Sequence, residues 1–259
     1  MFFNNVHIGF YILIAAIGGL LGPLVAWMTK RFAERRPVFS KDFKKVLKKG
    51  IKFSYTYAAI IAILFVALLY KYGFSSSSFN KNLDLIKYLI LTPLLVSAFF
   101  VDLKERIIPN RLTLTIFEIG IAFTFLYGIN NINVAQDMLL GMITGAAIFG
   151  GITLLGGLMA GKEAMGMGDV KLVGALGLFY GVTGVTALSI SSFFLGAIIG
   201  IVIMIIRNIQ KSEDKYVPFG PFIVVSAILM MFINPNTVFS IFMGICMGLS
   251  NGIMSLFNR

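Results

Sequence analysis

Cysteine and histidine are nearly missing from this chain: there is one of each, Cys246 inside an apolar run and His7 near the start. No disulfide framework can be built from one cysteine, and no His/Cys zinc site from one residue of each type. A Ser-His-Asp or Cys-His centre is equally out of reach, because His7 stands ahead of the first apolar run. Charge is scarce too. Only 13% of the 259 residues are charged, about half of the roughly 25% usual in soluble domains. Hydrophobic residues reach 58% and the mean hydropathy is +0.91. This excludes a water-soluble globule and a disordered chain, and predicts an all-α polytopic membrane protein.

The net charge of +11 could suggest a nucleic-acid partner, but its distribution says otherwise. Ten of the 22 Lys and Arg lie between Lys30 and Lys52, separating two long apolar runs. The others cluster in short segments beside apolar runs, the pattern of cytoplasmic loops under the positive-inside rule. No nucleic-acid partner is expected; membrane lipids are.

The apolar runs predict helices near 8–28, 53–72, 86–101, 112–130, 135–160, 171–183, 185–206, 218–233 and 237–256, giving a bundle of eight or nine spans. The stretches 171–206 and 218–256 are each broken only by Gly-Val-Thr-Gly or Asn-Pro-Asn, and read as tight helical hairpins. The segments Lys30–Lys52, Lys104–Arg111, Lys162–Lys171 and Arg207–Lys215 then share one side, the cytoplasm, with the N-terminus outside. MFFNNVHIGF has no basic region before its apolar run and reads as the start of a retained span. The chain divides into a first span (1–29), a basic cytoplasmic loop (30–52) and a transmembrane bundle (53–259). The pattern around Lys41–Lys49 suits a basic amphipathic helix on an anionic leaflet, or a topology signal alone.

With 11 Asp and Glu in all, ionisable groups at membrane depth stand out as functional candidates. Three qualify. Asp102 ends the third run, in Val101-Asp102-Leu103-Lys104-Glu105-Arg106-Ile107-Ile108-Pro109-Asn110, where Pro109 turns the chain out of helix and Asn110 is a plausible N-cap. Asp169 follows Gly166-Met167-Gly168 and opens the next apolar run, as a cap or as a functional carboxylate. Glu118 lies inside the fourth run and is expected to make a polar contact within the bundle, with polar support of the substrate or catalytic site as the second reading. The threading puts Asp102 and Asp169 on one side of the membrane, where they can meet. Two facing carboxylates share a proton, so one can act as base and the other as acid. Such a pair can hydrolyse a peptide bond without metal, thiol or imidazole. The rival reading is a small transporter or channel in which Asp102, Glu118 and Asp169 relay cations.

Val101–Leu112, the run GKEAMGMGDVKLVGALGLFYG over Gly161–Gly181, and Val217-Pro218-Phe219-Gly220-Pro221-Phe222 together resemble the signature regions of the type IV prepilin peptidases, GxGD-type membrane aspartyl proteases. The resemblance covers about residues 86–230. It implies that Asp102 and Asp169 are the catalytic pair, that Gly166 and Gly168 shape the loop, and that Lys171, Pro109 and Asn110 support it. It further implies removal of the short basic leader from prepilin or pseudopilin precursors at the cytoplasmic face of the inner membrane, with no cofactor for proteolysis. Bifunctional members also methylate the new N-terminus with S-adenosylmethionine. Two of their N-terminal features, paired Cys-x-x-Cys motifs and a Gly-Ser-Phe-Leu-Asn-like segment, are replaced here by a Lys-rich loop without Cys and by Gly18-Gly19-Leu20-Leu21-Gly22-Pro23. That counts against methyl transfer in this chain. The resemblance is silent on which precursor is cut and on oligomeric state.

Overall fold

In lipid a backbone has only itself to hydrogen-bond to, so long apolar runs become helices. A computed structural model describes residues 2–3, 6–34, 54–74, 79–160, 165–209 and 218–257. Among the described residues eight helices follow a two-residue strand pair, Phe2–Phe3 (β1) with Val6–His7 (β2): α1 Ile8–Ala33, α2 Tyr55–Tyr72, α3 Phe79–Glu105, α4 Asn110–Asn130, α5 Ile132–Ala160, α6 Met167–Ile209, α7 Gly220–Phe232 and α8 Pro235–Phe257. The basic stretch 41–49, the serines 75–78, the loop 161–164 and residues 210–217 lie outside the described residues, as do the expectations placed on them.

Among the described residues, six helices are long and apolar enough to cross a membrane, or seven if the bent pair α7–α8 counts as one span. The expectation was eight or nine; the tally of six or seven takes 167–206 as a single helix, and the two stretches read as hairpins differ in outcome. The first is continuous helix except at Gly181, whose φ of 67° and ψ of −174° break it. Residues on both sides of the break meet the same part of α5. A Cβ on Gly145 would touch both Val173 and Val185, and the Phe149 ring stacks on Phe193 at 4.9 Å. The chain therefore folds back at Gly181, so that 167–180 and 182–209 run antiparallel; this expectation holds, with the turn at the first glycine of Gly-Val-Thr-Gly. The Asp137 carboxylate of α5 accepts from the Val182 N–H at 3.3 Å and caps the returning arm.

The second stretch is not a tight hairpin. α7 has 13 residues, about 20 Å at 1.5 Å per residue and too short to span alone. Ile233 leaves the helix in an extended conformation, Pro235 restarts it, and α8 departs at 116° to α7.

α3 is central, packing on α1, α2 and α7, while α6 packs on α4, α5 and α7. The core runs along their shared faces through Leu91, Leu95, Leu112, Ile116, Leu172, Leu176 and Ile223. At one end α3 stops at Glu105, α4 begins at Asn110, α6 begins at Met167 and α7 begins at Gly220. Those four termini form the site.

Candidate functional site

α3 ends with Arg106 at φ 56°, its N–H donating to the Asp102 carbonyl at 2.9 Å. Pro109 precedes α4 with an extended backbone. The loop between is thus a sharp reversal that leaves Asp102 on the last turn of α3, facing inward and 4% exposed. Asp169 lies in the first turn of α6, its N–H donating to the Gly166 carbonyl at 3.0 Å, and is 8% exposed.

Both carboxyls line one cavity of about 500 Å³, walled also by Phe32, Arg106, Ile108, Pro109, Asn110, Gly166, Gly168, Lys171 and Phe219. Asp102 lies within electrostatic range of Asp169. The Oδ2 atom of Asp102 is buried with no hydrogen-bond partner among the described residues. A buried carboxyl oxygen left open is one that a proton or an incoming donor can occupy. The Gly220 N–H, at the start of α7, faces the same carboxyl. A Cβ on Gly220 would stand 2.5 Å from Asp102 Oδ2, so only glycine allows α7 to approach this far.

The supporting residues fall into place around the pair. Gly168 packs on Ile108, joining the loop before Asp169 to the loop after Asp102. Lys171 Nζ donates to Asn110 Oδ1 at 3.0 Å, tying the first turn of α6 to that of α4. Asn110 was expected as the N-cap of α4. Pro109 takes that position, with no side-chain cap, and the Asn110 side chain is spent on Lys171 instead. Glu118 is exposed on α4 and, among the described residues, lines neither this cavity nor a polar contact inside the bundle, contrary to expectation. A relay through Asp102, Glu118 and Asp169 is therefore not assembled. Among the described residues no three His, Cys, Asp or Glu side chains gather around a metal position.

Two contributors were missed from sequence. Phe32 of α1 walls the cavity with no local signal to mark it. Gly220 stood in a quoted motif, but its contact with Asp102 joins residues far apart in the chain.

Comparison with known proteins agrees with the motifs. Residues 89–204 match the model of the Type IV leader peptidase family. A prepilin leader peptidase/N-methyltransferase of Aeromonas hydrophila is 33% identical over 138 residues, 53% of this chain and 46% of that protein. One from Legionella pneumophila is 32% identical over 182 residues, covering 70% and 60%. One from Xanthomonas campestris pv. campestris is 26% identical over 212 residues, covering 81% and 66%. The chain thus spans about half the length of the first of these relatives. No solved structure matches.

Proposed function

We propose, for a multi-pass membrane protein whose residues 89–204 match the type IV leader peptidase family model, that Asp102 and Asp169 hydrolyse the leader junction of prepilin-like precursors. One observation carries this reading: two buried carboxyls, delivered by different helices, face a single 500 Å³ cavity. The ionised member of the pair takes a proton from a water, and that water's oxygen attacks the scissile carbonyl carbon. The protonated member gives its proton to the developing oxyanion. On collapse of the tetrahedral species the C–N bond breaks, the carboxyl that took the water proton gives it to the departing amine nitrogen, the other carboxylate takes the proton of the collapsing hydroxyl, and the pair again holds one proton. The unpartnered Oδ2 of Asp102 and the facing Gly220 N–H suit a carboxyl that must change its protonation state without rebuilding its surroundings.

The concentration of Lys30, Arg31, Lys104, Arg106, Arg111 and Lys171 at this end of the bundle supports a cytoplasmic site under the positive-inside rule. The relatives are also named N-methyltransferases. Residues 35–53, in the N-terminal region that the resemblance connects with S-adenosylmethionine, lie outside the described residues, and the reading here is confined to proteolysis.

The test is leader removal from a prepilin-like precursor of the same genome by purified protein. Wild type should cleave. Asp102→Asn and Asp169→Asn should each lower the rate by on the order of 10³-fold or more while remaining folded. The wild-type rate should pass through a maximum with pH, because the pair works only with one proton between its carboxyls. Cleavage retained in either variant removes the pair from the mechanism. A well-folded wild type that cleaves no candidate precursor refutes the peptidase reading.

A further inference from the structure

The last helix, α8 Pro235–Phe257, lines no part of the carboxyl cavity, and the apolar run 237–256 within it was expected as a span. Three observations are at odds with a span. The first is where α8 starts. Tyr72, the last residue of α2, donates to the Met231 carbonyl at 2.9 Å, so α7 stops level with the end of α2, where Lys71 is exposed. The break that follows is polar and exposed: the Asn234 side chain accepts from the Asn236 N–H at 3.0 Å, and the Asn234 carbonyl from the Thr237 N–H at 2.9 Å. A lysine at a helix end and a turn of asparagines belong at the boundary of lipid and water. α8 thus sets out from the membrane face opposite the carboxyl cavity.

The second is its direction. α7 packs on α3 and α6, both long enough to cross a membrane. At 116° to α7, α8 stands about 64° off antiparallel, outside the roughly 0–40° by which spanning helices tilt. Its 23 residues, about 34 Å long, therefore rise only about 15 Å along the line of α7, half of the roughly 30 Å of a hydrocarbon core.

The third is the sorting of its side chains. There is no charged residue between Pro235 and Gly248. Asn236, Thr237, Ser240, Gly244 and Gly248 fall on one side at helical spacing, with Met247 the one large apolar residue among them. Val238, Phe239, Phe242, Ile245 and Cys246 fall on the other, and Ile241 and Met243 stand at the borders. Val238 and Phe239 rest against the bundle core, while Phe242 and Ile245 are exposed. A Cβ on Gly244 or Gly248 would meet nothing within 4 Å. A helix that crosses lipid gains nothing from such a division; a helix at the surface does.

We infer that α8 lies along the membrane surface, at the end of the bundle away from Asp102 and Asp169, with Phe242, Ile245 and Cys246 among the acyl chains and Asn236, Ser240 and Gly244 toward water. Its partner is the boundary between phospholipid headgroups and acyl chains. With no charge between Pro235 and Gly248, the contact there is made by apolar insertion and owes nothing to anionic headgroups. The side turned to lipid continues the surface of the bundle, since Val238 and Phe239 lead from the core to Phe242 and Ile245. A second copy packed on Gly244 and Gly248 would bury the polar side instead, and a spanning helix would carry both sides into lipid. The assignment does not depend on the peptidase reading.

A nitroxide on the full-length protein in phospholipid vesicles tests this. Cys246 is the one cysteine and takes the first label without any substitution. Further labels go one at a time on Ser240→Cys, Phe242→Cys, Gly244→Cys and Ile245→Cys, each in a Cys246→Ser background. Collisions with a water-soluble nickel chelate should be several-fold more frequent at positions 240 and 244 than at 242, 245 and 246, and collisions with oxygen should follow the reverse order. The pattern should be the same with and without phosphatidylglycerol in the vesicles. Nickel access that falls steadily from 240 to 246, whatever the side, would mean a spanning helix and overturns the assignment. Exclusion of nickel at 240 and 244 with spin–spin broadening would mean that a second copy covers that side, and overturns it too. A pattern that needs phosphatidylglycerol overturns the apolar contact. High nickel access at the native Cys246 overturns the assignment without recourse to any variant.

Discussion

At the scale of single residues, the site depends on one atom that is not there. A Cβ on Gly220 would stand 2.5 Å from Oδ2 and 2.8 Å from Cγ of Asp102, inside any real contact distance. Either α7 backs away from α3 or the carboxyl rotates, and both move a carboxyl of the proposed pair by a few tenths of an ångström or more. Misplacement on the ångström scale costs about 10²-fold in rate. Gly220→Ala is therefore expected to lose roughly that factor in precursor cleavage while keeping wild-type thermal stability within a few degrees. Gly151→Ala is the control: nothing lies within 4 Å of its Cβ, and its cleavage rate should match wild type. Equal activity in the two variants would show that the approach of α7 to Asp102 is not used. Asp102 and Asp169 were legible in the sequence because ionisable groups at the ends of apolar runs are conspicuous. Gly220 was legible only as part of a motif, since close approach between distant segments leaves no trace in local spacing. Glu118 misled for a related reason: a carboxyl inside an apolar run looks inward-facing until the neighbouring helices are placed, and they pack on other faces of α4.

At the scale of elements, the decisive feature is the fold-back of α6, which brings Phe193 of the returning arm onto Phe149 and Phe219 beside the site. Gly181 makes the turn with φ of 67°, a conformation other residues adopt only under strain. Any side chain there would also collide with the Asp137 carboxylate. Gly181→Ala should thus destabilise the folded protein by about 1–3 kcal/mol from backbone strain, with the collision adding to it. Asp137→Asn, which keeps an acceptor for the Val182 N–H, should cost about 1 kcal/mol or less. Thermal unfolding in detergent orders the two, and a smaller loss for Gly181→Ala than for Asp137→Asn would contradict this account of the turn. The hairpin was readable from sequence because Gly-Val-Thr-Gly interrupts an otherwise unbroken apolar stretch. The angle between α7 and α8 was not. Asn-Pro-Asn announces a break, but the direction taken after it depends on which surface α8 finds, and that is a property of the packed bundle.

At the scale of the whole molecule, the buried polar cluster and the proposed chemistry occupy opposite ends. Fifteen residues before Asp102 on α3, or about 22 Å along the helix at 1.5 Å per residue, stands Lys87, 6% exposed. Its ammonium pairs with Asp84 at 3.0 Å and lies over the rings of Tyr88 and Tyr127, while the Tyr127 hydroxyl donates to Asp84 at 2.5 Å. Tyr72 and Tyr180 add hydrogen bonds to the carbonyls of Met231 and Ala227, so α2, α3, α4, α6 and α7 are joined at this end. Removing one partner of a buried ion pair costs about 3–5 kcal/mol, because the other is left charged and unpaired. Asp84 keeps its Tyr127 hydrogen bond, and its side chain is 35% exposed, so Lys87→Met is expected at or below the lower end of that range. The double variant Lys87→Met/Asp84→Asn leaves no unpaired charge and keeps an acceptor for Tyr127. It should recover more than half of the loss. Neither variant touches the cavity, so the protein that remains folded should cleave precursor with wild-type kcat. Thermal unfolding and cleavage measured on the same preparations separate the two ends. A fall in kcat at full occupancy of the folded state would mean that the Asp84–Lys87 cluster reaches the carboxyl pair through α3, and that the two ends are not independent.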